Sequence, residues 1–116
     1  MAKLILFFEE LYRNFNERKI ERVISRMAYN VKWANGMDGG YVFGHEGVRN
    51  YWIRQFELIQ SKVTPVEIVD EGVPVKIKVH QIVHDLKGKL LADEFVYHYF
   101  YLAGGKIVRF DIGKSN

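Results

Sequence analysis

Phe95-Val96-Tyr97-His98-Tyr99-Phe100-Tyr101 sets five aromatic rings around a single histidine. Side chains alternate along a strand, so Phe95, Tyr97, Tyr99 and Tyr101 fall on one face and Val96, His98 and Phe100 on the other. Neither face suits water. One is expected to close a core or pocket, and the other to meet a second copy of the chain.

The alternation continues on both sides of this run. Upstream, Val75, Ile77, Val79, Gln81 and Val83 alternate with Lys76, Lys78, His80, Ile82 and His84, and Asp85-Leu86-Lys87-Gly88 reads as the turn of a hairpin, with Gly88 free to take a positive φ. The aromatic strand then runs from about Leu90 to Leu102. Gly104-Gly105 turns the chain into a last strand, Lys106 to Ile112. Further back, Glu71-Gly72 marks another turn, after a strand near Pro65 that includes Val66 and Ile68.

Before Ser61 the period is helical. Leu4, Phe7, Phe8, Leu11, Tyr12 and Phe15 recur at three- and four-residue spacing over residues 3–16. Asn16 interrupts them, and Ile20, Val23, Ile24 and Met27 stripe a second helix. Val31-Lys32-Trp33 reads as a short strand, Asn35 to Gly40 as a turn-rich loop, and Tyr41-Val42-Phe43 as another short strand. A third helix is expected from Glu46 to Ile59, with Val48, Trp52 and Phe56 on one face and Glu46 suited to its positive end. Three helices followed by a meander of three or four long antiparallel strands make an α+β domain, expected to be a single unit over 1–116.

Composition narrows the function. The chain has 116 residues, 48% hydrophobic and 15% aromatic, which is globular rather than disordered. It has no cysteine, so disulfides, thiol nucleophiles and cysteine-bound zinc are excluded. The net charge of +3 is not clustered. Arg18, Lys19, Arg22 and Arg26 interleave with Glu17 and Glu21 as on a solvated helix face, so no nucleic-acid partner is expected. The apolar run Leu4 to Phe8 is cut short by Glu9 and Glu10, and no stretch approaches the roughly 20 residues of a membrane span. A cytoplasmic protein without membrane contact is the expectation. With no glycine-rich phosphate loop and no βαβ alternation, no cofactor is expected either.

Three stretches carry a family resemblance. Helix two leads into Ala28-Tyr29-Asn30-Val31-Lys32-Trp33. Gly44-His45-Glu46-Gly47-Val48-Arg49-Asn50-Tyr51-Trp52 has the form of a helix entry, G-x-E-x-V-R followed by aromatics. His98 to Leu102 with Gly105 to Phe110 forms a closing hairpin. In this order they resemble the SnoaL-like group of the nuclear-transport-factor-two-like superfamily, which includes ketosteroid isomerases and polyketide cyclases. The resemblance implies a cone-shaped α+β barrel, with a strongly bent antiparallel sheet around three N-terminal helices and a pocket at its open end. It also implies frequent dimers through the outer sheet face. Function does not follow from the fold. Ketosteroid isomerases use a carboxylate base, a helix-one tyrosine and a protonated late-strand aspartate. The matching places here hold Trp33, Leu11 and His98, which disfavours that mechanism and leaves open whether the chain is an enzyme at all.

His98 is the candidate catalytic residue. Beside Val96 and Phe100 it would sit among apolar groups that keep it neutral, and a core histidine satisfied by a neighbour is the plain alternative. Glu94 shares its face, but four residues along a strand span roughly 13 Å, so direct contact is not expected. Gln81 faces inward only in one hairpin register. Leu11, Phe15, Trp33, Trp52, Phe56, Val96, Phe100 and Phe110, with Gln81, are the expected walls of a site for a flat apolar molecule, or else simply core. His80 and His84 lie beside Lys76 and Lys78, which oppose a cation, so no metal site is expected. His45 reads as a loop or capping residue and Asp38 as a turn residue.

Three functions fit. The first is a small hydrophobic or aromatic ligand held without turnover. The second is an isomerase, cyclase or hydratase using His98 as general acid or base. The third is a dimerisation module with a vestigial pocket, built on Phe95, Tyr97, Tyr99 and Tyr101.

Overall fold

Helix α1 (Ala2–Asn16) forms on the stripe of Phe8, Leu11 and Tyr12, all buried, while Ile5 and Leu6 on its other side are exposed. A computed structural model describes residues 2–114. At its end, Asn16 turns its side chain onto strand β3 (Ile59–Asp70), donating from Nδ2 to the Val63 carbonyl at 2.8 Å and accepting from the Val63 N–H at 2.9 Å. Arg18 takes φ +62° in the link that follows, and its Nη2 donates to the Ser61 carbonyl at 2.8 Å. The second helix, α2 (Ile20–Ile24), is shorter than its stripe suggests. Met27 belongs instead to strand β1 (Met27–Ala34), because the strand ladder claims it opposite Ile107.

Strand β2 (Tyr41–Phe43) folds back on β1, and α3 (Gly44–Leu58) crosses to the far edge of the sheet. There the meander begins: β3, then β4 (Val75–Asp85), β5 (Leu90–Ala103) and β6 (Lys106–Lys114). The sheet order is β2-β1-β6-β5-β4-β3. The sheet is therefore mixed, not purely antiparallel: β1 and β6 run parallel. The meander fixes the direction of β6, and the crossover of α3 fixes that of β1, so the central pairing is set by chain parity rather than by any local pattern. Nor does the sheet close into a barrel, since β2 and β3 remain its edges. Pro65 lies inside β3, at an edge where proline's missing donor is tolerated.

The β4–β5 register sets Val75 opposite Phe100, Ile77 opposite His98, Val79 opposite Val96 and Gln81 opposite Glu94. It is pinned by the turn, where Asp85 Oδ1 accepts from the N–H groups of Lys87 and Lys89 and Gly88 takes φ +90°. Val96, His98 and Phe100 are buried against the helices, and Phe95, Tyr97, Tyr99 and Tyr101 line the outer face. One core joins α1, α2, α3 and the inner face of the sheet through Phe8, Val23, Met27, Val48, Ile77 and Ile107. No described helix is long and apolar enough to cross a membrane.

Candidate functional site

Between the inner face of the sheet and the helices lies a cavity of about 340 Å³. Its inner end is aromatic. Trp33 stacks on Phe110 at 4.1 Å between ring centres and meets Trp52 edge-on at 5.4 Å, while Phe15 packs edge-on against Trp52 at 5.3 Å. These geometries are the offset and edge-to-face arrangements that ring quadrupoles favour.

Into this apolar wall the chain sets two polar groups that face each other. Tyr12 reaches down from α1 and its hydroxyl lies 2.8 Å from Nδ1 of His98, both side chains buried. Their rings are nearly parallel, and Phe110 stands edge-on to the imidazole at 4.9 Å. Burial pulls the His98 pKa from 6.5 down to about 3, because the protonated form would lose its water. The same burial pushes the Tyr12 phenol well above its usual range. Both groups are neutral at physiological pH. Among the described residues no hydrogen bond reaches Nε2 of His98, and the residue lines the cavity.

The outer end is polar and exposed. Gln81 and Glu94 are cross-strand partners there, the amide nitrogen 3.5 Å from the carboxylate. Gly36 and Met37 also line the cavity, and their loop is tied down twice: the Gly36 N–H donates to the Tyr51 hydroxyl at 3.0 Å, and Arg54 pairs with Asp38 at 3.1 Å. Gln55 also lines the cavity, with Oε1 buried and unpartnered.

The architecture of three helices over a six-stranded sheet has counterparts among solved structures. TerC, co-crystallised with polyporic acid, superposes with a TM-score of 0.83 at 24% identity, over 96% of this chain and 90% of that one. An NTF2-like protein from Burkholderia pseudomallei gives a TM-score of 0.85 at 22% identity, over 99% of this chain and 92% of that one. The chain has the NTF2-like fold. SalBIII, an epoxide hydrolase/cyclase-like enzyme with a role in pyran ring formation in the polyether salinomycin, shares that fold with a TM-score of 0.80 at 15% identity, over 98% of this chain and 92% of that one. No family model matches the sequence, and no curated protein matches it.

Within this NTF2-like frame, Leu11, Phe15, Trp33, Trp52, Gln81, Val96, His98, Phe100 and Phe110 all lie on the cavity wall. Phe56 does not. It packs one layer behind, edge-on to Phe15 at 5.6 Å and under the Arg18 guanidinium at 4.2 Å, because α3 turns that face toward the end of α1. Glu94 stands at the mouth, on the same wall as His98 but toward solvent. His80 is on the outer face, 2.6 Å from Asp93 and stacked on Phe95. His45 donates from Nε2 to the Met27 carbonyl at 2.9 Å, tying α3 to β1. Among the described residues no cluster of three or more His, Asp or Glu could hold a metal ion.

Tyr12 is the functional group that periodicity conceals. It sits one residue after Leu11, the place matched to the isomerase tyrosine, and its position in the apolar stripe marks it as core. The signal for it was present: a phenol in a buried stripe needs a partner, and His98 is the buried polar group opposite.

Proposed function

We propose that the chain binds a small apolar or aromatic molecule in this cavity, gripped by the rings of Trp33, Trp52, Phe100 and Phe110 and oriented by the Tyr12–His98 pair. The observation that carries this reading is the neutral hydrogen-bonded pair set among the rings at the inner end of the cavity. The pair serves either polarity. If Tyr12 donates to Nδ1, the imidazole presents Nε2–H to a ligand carbonyl. If Nδ1–H donates to the Tyr12 oxygen, Nε2 accepts from a ligand hydroxyl. At about 340 Å³ the cavity lies at the small end of the range for ligand sites. The same fold in TerC was co-crystallised with polyporic acid, which is fold-level support only.

The pKa of His98 weighs against the catalytic alternative. A general base works best with a pKa near the operating pH, and an imidazole whose conjugate acid ionises near 3 is a weak one. Among an isomerase, a cyclase or a hydratase, only one that needs a neutral hydrogen-bonding imidazole fits. The test is native mass spectrometry of the purified protein for a carried-over compound, followed by calorimetry with hydroxylated aromatic ligands. His98→Ala is expected to weaken binding about tenfold, the value of one buried hydrogen bond. Unchanged affinity in both His98→Ala and Tyr12→Phe overturns the reading, as does the absence of any binding.

We also infer a homodimer through the outer sheet face. Its support is the row of Phe95, 46% exposed, with Tyr97, Tyr99 and Tyr101, over which Lys76 and Lys78 lay their ammonium groups at 4.3 Å from Tyr97 and 5.0 Å from Phe95.

A further inference from the structure

The cavity has polar character at two ends and charge at one. Its inner end holds the uncharged Tyr12–His98 pair, and the other walls are mostly rings and aliphatic chains, with the neutral polar groups of Tyr51, Gln55 and Ser61 among them. Among the described residues on the wall, Glu94 is the single formally charged side chain, held at the mouth by the Gln81 amide rather than by a cation. The protein carries 17 lysines and arginines, yet none is among the described residues of this wall. Among the described residues the one formal charge on the wall is therefore negative.

Glu94 and His98 lie on the same face of β5, four residues apart, so the strand holds the two stations roughly 13 Å from each other. A ligand that meets both must be elongated. At the inner end a neutral oxygen fits the uncharged pair, since a charge there would have to shed its water. At the mouth a cation gains from Glu94 while keeping part of its hydration. An anion there meets the repulsion of Glu94.

Resting on the binding function inferred above, we propose that Glu94 sets the charge preference of the cavity, so that its ligand is an elongated aromatic molecule with a neutral oxygen at the inner end and a protonated amine at the mouth. Calorimetry with three probes tests it. They share a hydroxynaphthalene core and differ in one substituent: aminomethyl, hydroxymethyl or carboxymethyl. The amine should bind about fivefold tighter than the alcohol and the carboxylate weaker than both, the scale of one exposed ion pair. Raising salt from about 10 mM to about 500 mM should shrink that preference. In Glu94→Gln the order should vanish, the amine losing the most affinity. A carboxylate that binds as tightly as the amine overturns the proposal, and so does an order that survives in Glu94→Gln. If the alcohol binds both proteins with no charge order, the charge preference alone fails. If no probe binds the native protein, the binding function fails with it.

Discussion

His98 and Tyr12 are each other's protein partner inside an apolar wall, so removing one strands the other. Tyr12→Phe leaves Nδ1 facing a ring edge, and a buried polar group without a partner costs about 1–3 kcal/mol. Urea unfolding at neutral pH should show that loss. An unchanged midpoint would mean that water replaces the hydroxyl. The histidine also links stability to pH. Unfolded, it titrates near 6.5, and folded near 3, so acid protonates the unfolded chain first. Its contribution is whole above pH 6.5 and is lost as pH falls from there toward 3. Between about pH 7 and about pH 5 the native protein should lose about 2 kcal/mol more than His98→Gln, the variant cancelling the carboxylates common to both. Parallel curves for the two proteins would refute the buried neutral histidine. Period-2 alternation is enough to place His98 inward, because a strand has only two faces. It could not reveal Tyr12, since a helical stripe records burial and not which buried group meets a phenol.

Among the elements, β3 has the most to lose from a single change. It is an edge strand, and Asn16 at the end of α1 makes with Val63 the two hydrogen bonds that a neighbouring strand would make. Asn16→Ala removes both, with a cost of about 1–3 kcal/mol and a fall in Tm of several degrees on a scanning calorimeter. A smaller effect than Asn16→Asp, which keeps one acceptor, would contradict the pairing. On β6, the Tyr99 ring lies across Gly113 so closely that an added Cβ would fall 2.9 Å from Cε2. Gly113→Ala should therefore destabilise by about 1–3 kcal/mol through overpacking, and Tyr99→Leu should relieve much of that in the double variant. Most of these elements were legible from period and turn residues, since Gly88 and Asp85 specify their hairpin locally. The parallel β1–β6 pairing and the early end of α2 were not. Each depends on a partner far along the chain, Ile107 for Met27, and no local spacing encodes it.

For the molecule as a whole, β5 presents two chemically different surfaces, a buried inner one and an outer aromatic one. If the outer one pairs two copies, sedimentation at micromolar concentration should give twice the mass of 13.6 kDa, and Tyr97→Glu should return the monomer without altering ligand affinity. A native protein that sediments as a monomer would remove that interface. The inner surface offers a different kind of access. The chain has two tryptophans, Trp33 and Trp52, and both stand on the cavity wall, edge to face with each other. Excited at the red edge of the spectrum, where its seven tyrosines do not absorb, its emission therefore originates from the cavity wall alone. A guest that settles against those indoles would alter their quantum yield and wavelength with no other indole in the background, so the tryptophans would report its arrival without any added label.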